Sequence, residues 1–185
     1  VHRINTLAVL TNKKLIMVRF LQFFMLLTIM SCVQKKESTK AFQTVDWSEH
    51  KAVLNERDSL WKGSSYLSVY SEIYSYSEAR TYDLTVTVSL KNIYKNDTVY
   101  IERADYYNTK GEKIRNYFDQ PIYLKPMETL EIVIDQKDTQ GGSGGNFVFD
   151  WMVKNPKLEP HFEAVMISTY GQQGLSFTSQ GIRVE

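Results

Sequence analysis

The chain has one cysteine in 185 residues, Cys32, which excludes an internal disulfide and leaves the fold to stand on its core alone. No apolar run reaches the roughly 20 residues of a comfortable membrane span. Charge of one sign is lacking as well, because 22 basic residues face 21 acidic ones with no basic cluster. That balance gives no electrostatic reason to bind nucleic acid. After residue 64 no helical period recurs, which excludes a helical bundle.

What is present begins with the cysteine. Lys13, Lys14 and Arg19 precede a short apolar stretch from Phe20 to Met30, and Ser31 then supplies a small residue directly before Cys32. This order matches an export signal and resembles the lipobox of bacterial lipoproteins. The resemblance implies that the signal, residues 1–31, is cut away, that Cys32 carries lipid, and that membrane lipid is a partner. Val33 is not the aspartate that resembles an inner-membrane retention signal, so the outer membrane is the expected address where an organism has one. Met17 offers a more compact start than Val1. Residues 1–31 hold four of the basic side chains and no acid, so the remainder carries a formal charge of −3.

Residues 32–63 are polar and mixed in charge, and read as a lipid-anchored tether. Within them Asp46 to Leu60 is expected to hold a short helix, with Asp46 as its cap and Val53, Leu54 and Leu60 as an incomplete apolar stripe. Residues 64–185 switch to a period of two. Leu84, Val86, Val88 and Leu90 share one face of a strand, and hydroxyl residues alternate with them toward water. Val99 to Tyr107 and Lys113 to Phe118 flank a turn at Asn108 to Gly111, and Lys125 to Glu128 make another. Leu130, Ile132 and Ile134 alternate, as do Phe147, Phe149, Trp151 and Val153, then Val165 with Ile167 and Leu175 with Phe177. This pattern predicts an all-β domain, an antiparallel immunoglobulin-like β-sandwich of roughly eight strands.

Segments such as Tyr66 to Ser71, Asp105 to Tyr107, Asp138 to Phe147, Glu163 to Ile167 and Gly171 to Ser179 resemble, in order, the motifs of bacterial envelope proteins grouped as domain of unknown function 3124. The resemblance implies a secreted or lipid-anchored domain and carries no activity, cofactor or catalytic residue with it.

The chemistry-bearing patterns are few. Gly141-Gly142-Ser143-Gly144-Gly145 has the form of a nucleophile elbow, with Asp150, Glu159 and His161 following in hydrolase order. An elbow needs a strand before the serine and a helix after it, whereas Phe147 onward alternates as a strand. The same glycines lack the lysine and helix of a phosphate loop. Their ordinary reading is a flexible hairpin loop, and their functional reading is a loop that orders on a partner. Glu159, His161 and Glu163 would share one face of a strand as metal ligands, but Pro160 and a solvated edge explain them more simply. Asp135 and Asp138 lack calcium-loop spacing. All twelve tyrosines lie between Tyr66 and Tyr170, a density that suits half-buried strands or stacking platforms for sugars.

The expected function is a non-enzymatic binding module of the cell envelope, with an envelope protein or glycan as partner. The binding surface is assigned to Asp138, Gly141, Gly142, Gly144, Gly145 and Asn146 together with Tyr170, Gln172 and Gln173. A small hydrolase or metal-dependent enzyme is the alternative. It needs Ser143 or Glu159 within hydrogen-bond reach of His161.

Overall fold

The computed structural model describes residues 45–55, 57–169 and 174–185. The expected signal, Cys32, Tyr170, Gln172 and Gln173 lie outside the described residues. Among the described residues twelve strands form three antiparallel sheets. In chain order they are β1 (Trp61–Ser68), β2 (Glu72–Ser75), β3 (Ser77–Asp83), β4 (Thr85–Lys91), β5 (Val99–Tyr107), β6 (Lys113–Asn116), β7 (Ile122–Leu124), β8 (Thr129–Ile134), β9 (Asn146–Val153), β10 (His161–Ser168), β11 (Leu175–Gln180) and β12 (Ile182–Arg183). A six-stranded sheet runs β12-β1-β9-β5-β6, with β7 also on β5, and a four-stranded sheet runs β11-β10-β4-β8.

The two larger sheets make the sandwich that the alternation predicts. Leu84, Val86, Val88 and Leu90 are fully buried, as are Phe147, Phe149 and Val153. Aromatic rings stack through the core and across the sheets: Tyr106 on Phe147 at 4.8 Å, Phe147 on Phe149 at 5.3 Å, and Phe149 of β9 on Phe162 of β10 at 4.1 Å. The β4–β8 and β5–β9 pairings match the B–E and C–F pairs at the centre of an immunoglobulin sandwich. The outer long strands are exchanged between sheets, so that β1 lies beside β9 and β10 beside β4.

Three local expectations change. The strand count rises because the chain between Leu67 and Leu84 folds into the separate two-stranded ribbon β2–β3, and because the edge segments are short. The helix expected over Asp46 to Leu60 is a single 3-10 turn, Trp47–His50, with Asp46 accepting from Ser48 N at 2.9 Å as its cap. Tertiary contacts end it. Trp47 packs on Phe118 with ring centroids 5.3 Å apart, Lys51 bridges to Ile122, and Val53 is left 85% exposed. On β10 the core face is Phe162, Ala164 and Met166, while Ile167 points outward. Both faces of that strand carry apolar residues, so the period alone does not choose between them. Ser89 of β4 is buried rather than wet.

Candidate functional site at the loop end

The registers gather one set of loops at one end of the sandwich. β1 ends at Ser68 opposite Asn146, Tyr107 of β5 meets the same residue, and β10 ends at Ser168 opposite Leu175. The glycine turn before β9, the Asn108–Gly111 turn, the base of the β2–β3 ribbon, the end of β10 and the start of β11 therefore share this end.

The glycine turn is ordered by its surroundings, which corrects the expectation of a flexible hairpin loop. Gly142–Gly144 form a 3-10 turn. Thr109 organises it from across the chain: its N–H and hydroxyl both donate to Gly141 O, at 3.1 and 3.0 Å, and its Oγ1 accepts from Gly144 N at 2.9 Å. Ser71 N donates to Gly142 O at 3.0 Å and Val69 N to Gly145 O at 2.9 Å. A Cβ on Gly141 would fall 1.9 Å from the Tyr106 hydroxyl and 2.7 Å from Ser71 Oγ, so glycine there is a packing requirement. Gly142 has φ +68°, which favours glycine on backbone grounds. Gly141 and Gly145 are buried, while Gly142, Gly144 and Asn146 are partly covered.

Asp138 is held beside this turn by Arg115, whose Nη2 donates to Asp138 Oδ2 at 2.6 Å and to Gln140 Oε1 at 3.1 Å. The guanidinium lies over the rings of Tyr106 and Tyr117, 5.8 and 5.9 Å from their centroids. The Tyr117 hydroxyl is enclosed with no hydrogen-bond partner among the described residues, and burial pushes its phenol up to about 12. Tyr106 is raised too, chiefly by burial, although its hydroxyl shares a hydrogen bond with Ser71 Oγ at 2.8 Å.

The ribbon β2–β3 stands beside the glycine turn. Its base is closed by Leu84 N donating to Ser71 O at 2.8 Å. Its tip is Tyr76, 91% exposed with φ +61°, and Tyr74 is 62% exposed. The Arg80 guanidinium lies 5.7 Å from the Tyr76 ring centroid and 5.9 Å from that of Tyr82. A hydrogen bond with the Ser75 side chain lowers the Tyr82 phenol. A bulky residue in the left-handed region costs about 1–2 kcal/mol, so the fold spends stability to present an aromatic ring to solvent.

The residues of the enzyme alternative are not assembled. Ser143 sits in the glycine turn, and among the described residues neither it nor Glu159 hydrogen bonds to His161. Glu159 pairs with Arg183 at 2.5 Å, and Glu163 pairs with Lys91 at 2.5 Å. That hydrogen bond from Lys91 holds the Glu163 carboxyl below its ordinary value. No group of three metal-ligating side chains occurs among the described residues.

Sequence reasoning missed Thr109, Ser71 and Arg115, because nothing local links them to glycines tens of residues away. The density of tyrosines in the sequence includes Tyr74, Tyr76 and Tyr82 of the ribbon. Compared with known proteins, residues 62–184 match the profile of a family described as "Protein of unknown function (DUF3124)". No curated protein and no solved structure matches the chain.

Proposed function

Since the chain belongs to the DUF3124 family, whose description assigns no activity, we propose that it is a lipid-anchored, non-enzymatic binding module of the cell envelope that meets a protein partner through its loop end. The observation that carries this reading is the β2–β3 ribbon, which holds Tyr74 and Tyr76 in solvent beside a rigid glycine turn. Tyrosine supplies a large contact area at low entropic cost, and it is favoured where binding energy concentrates. Two further features support the reading. Cys32 follows an export-type segment, which would place lipid on the chain. Two of the carboxylates that a hydrolase or metal enzyme would need are held in ion pairs, Glu159 with Arg183 and Glu163 with Lys91.

The anchor is tested by labelling cells with radioactive palmitate. Wild-type chain is expected to be labelled and to sediment with membranes, and Cys32→Ser is expected to do neither. Membrane association without label in the wild type would end the lipid reading. The binding surface is tested with a photo-crosslinker at position 76 of the full chain. A discrete adduct is expected, whose identified partner binds the purified chain and loses at least tenfold in affinity to Tyr74→Ser/Tyr76→Ser. Equal affinity of the variant would remove the ribbon from the interface.

A further inference from the structure

The outer face of the six-stranded sheet is a second surface with a different chemistry. Registers place its residues in rows across β1, β9 and β5. Ser64, Asp150 and Arg103 form the middle row. Four residues apart along β9, and so about 13 Å apart, Met152 and Val148 mark the rows on either side of it. Tyr100 stands in the Met152 row, while Tyr66, opposite Ile182 of β12, stands in the Val148 row. Both tyrosines are half-buried, each with one part of its surface open.

The middle row is a continuous set of oriented polar groups. Ser64 Oγ donates to Asp150 Oδ1 at 2.9 Å, and Arg103 donates to Asp150 Oδ2 from Nε at 2.9 Å and from Nη2 at 2.6 Å. The hydrogen bond with Asp150 also raises the Arg103 guanidinium. Beside this row Lys62 Nζ meets both oxygens of Glu102, at 3.2 and 3.1 Å. Asp105, with its side chain only 3% exposed, has Lys113 Nζ 2.7 Å from Oδ1 without hydrogen-bond geometry, and Arg103 Nε 3.8 Å from Oδ2. A depression of about 280 Å³ opens over the row, lined by Lys62, Gly63, Ser64, Glu102, Asp150 and Glu185.

These features select a ligand class. On this face Lys62, Arg103 and Lys113 are each offset by a carboxylate and Glu185 adds a further one at the depression, so the face offers no net positive charge to a polyanion. What it offers is planar donors and acceptors fixed on a rigid sheet, with an aromatic ring to either side. Rings stack on apolar sugar faces while fixed polar groups bond hydroxyls. The spacing suits an oligosaccharide better than a single sugar.

We propose that this face binds a neutral oligosaccharide, with sugar rings on Tyr66 and Tyr100 and hydroxyls bonded to Ser64, Asp150 and Arg103. It rests on the reading of the chain as a binding module, but uses a surface separate from the tyrosine ribbon. The test is calorimetric titration of the full chain, in detergent, with the hexasaccharides of cellulose, amylose and chitin, and with a sulfated hexasaccharide as a charged probe. Saturable binding to at least one neutral probe is expected. It should weaken at least tenfold in Tyr66→Ala and in Asp150→Asn, and stay within threefold in Tyr66→Phe. Should Asp150→Asn fail to fold, Tyr66→Ala and Tyr100→Ala carry the test. Binding of no neutral probe, equal binding by the alanine variants, or tighter binding of the sulfated probe would each overturn it. The ribbon variant Tyr74→Ser/Tyr76→Ser is expected to keep sugar binding unchanged, so failure of the loop-end reading and failure of the sugar face are told apart.

Discussion

The glycine turn and the tyrosine ribbon stand side by side at one end of the molecule, and only the ribbon behaves as its composition suggests. Five residues of glycine and serine make one of the most constrained parts of the chain, closed by Thr109, Ser71 and the Tyr106 hydroxyl. The ribbon, with three tyrosines and a single isoleucine among mostly polar residues from Glu72 to Asp83, stands in solvent as that composition suggests and carries a strained tip. Order in the glycine turn comes from what surrounds it, and composition reports it poorly.

The sharpest way to break the comparison is Gly141→Ala. One methyl group there must displace Tyr106 and Ser71, so the substitution is expected to cost about 3 kcal/mol in urea unfolding. A cost under about 1 kcal/mol would mean the turn is loose after all. Next in size is Tyr117→Phe. Removing an enclosed hydroxyl without a partner is expected to stabilise by about 1–2 kcal/mol. The same residue gives a pH test. With its phenol raised to about 12 from an ordinary 10, its contribution to stability is full below pH 10 and is lost as pH rises toward 12. Tyr117→Phe should therefore flatten the alkaline limb of the stability profile, and an unchanged limb would remove Tyr117 as its source.

At the ribbon, Tyr76→Gly is expected to gain about 0.5–1 kcal/mol by relieving the positive φ, with the unfolding midpoint as the readout. A loss instead would show that the exposed ring stabilises the tip. The smallest effect belongs to Glu163, whose carboxyl lies below its ordinary 4.5 through Lys91. Its contribution is present above that value and lost as pH falls below it. Glu163→Gln should be less stable than wild type by under about 1 kcal/mol near pH 7, and indistinguishable from it in strong acid.

Much of the fold was legible where one face of a strand is apolar and the other is not. Leu84 to Leu90 and Leu130 to Ile134 gave their buried faces without ambiguity. β10 did not, because Val165 and Ile167 compete with Ala164 and Met166. The glycine motif was legible as a special place, but its physical role was not, since Thr109 and Ser71 lie 32 and 70 residues from Gly141. Asp138 was singled out without its partner, Arg115, for the same reason. The outer sheet face was invisible in sequence, because its rows join residues from three distant strands.

The exchange of β1 and β10 between the sheets also has a kinetic meaning. Leu67 of β1 finds Phe147 of β9, and Val88 of β4 finds Ala164 of β10, so each central pairing closes a loop of many tens of residues. Among the described residues only the ribbon β2–β3, the β5–β6 hairpin and the β10–β11 hairpin join strands adjacent in sequence. Topologies of this kind fold in milliseconds to seconds rather than microseconds. Neither sheet can close until β9 and β10 are available, so a chain made from its amino-terminal end leaves both sheet centres unpaired until nearly all of it is free.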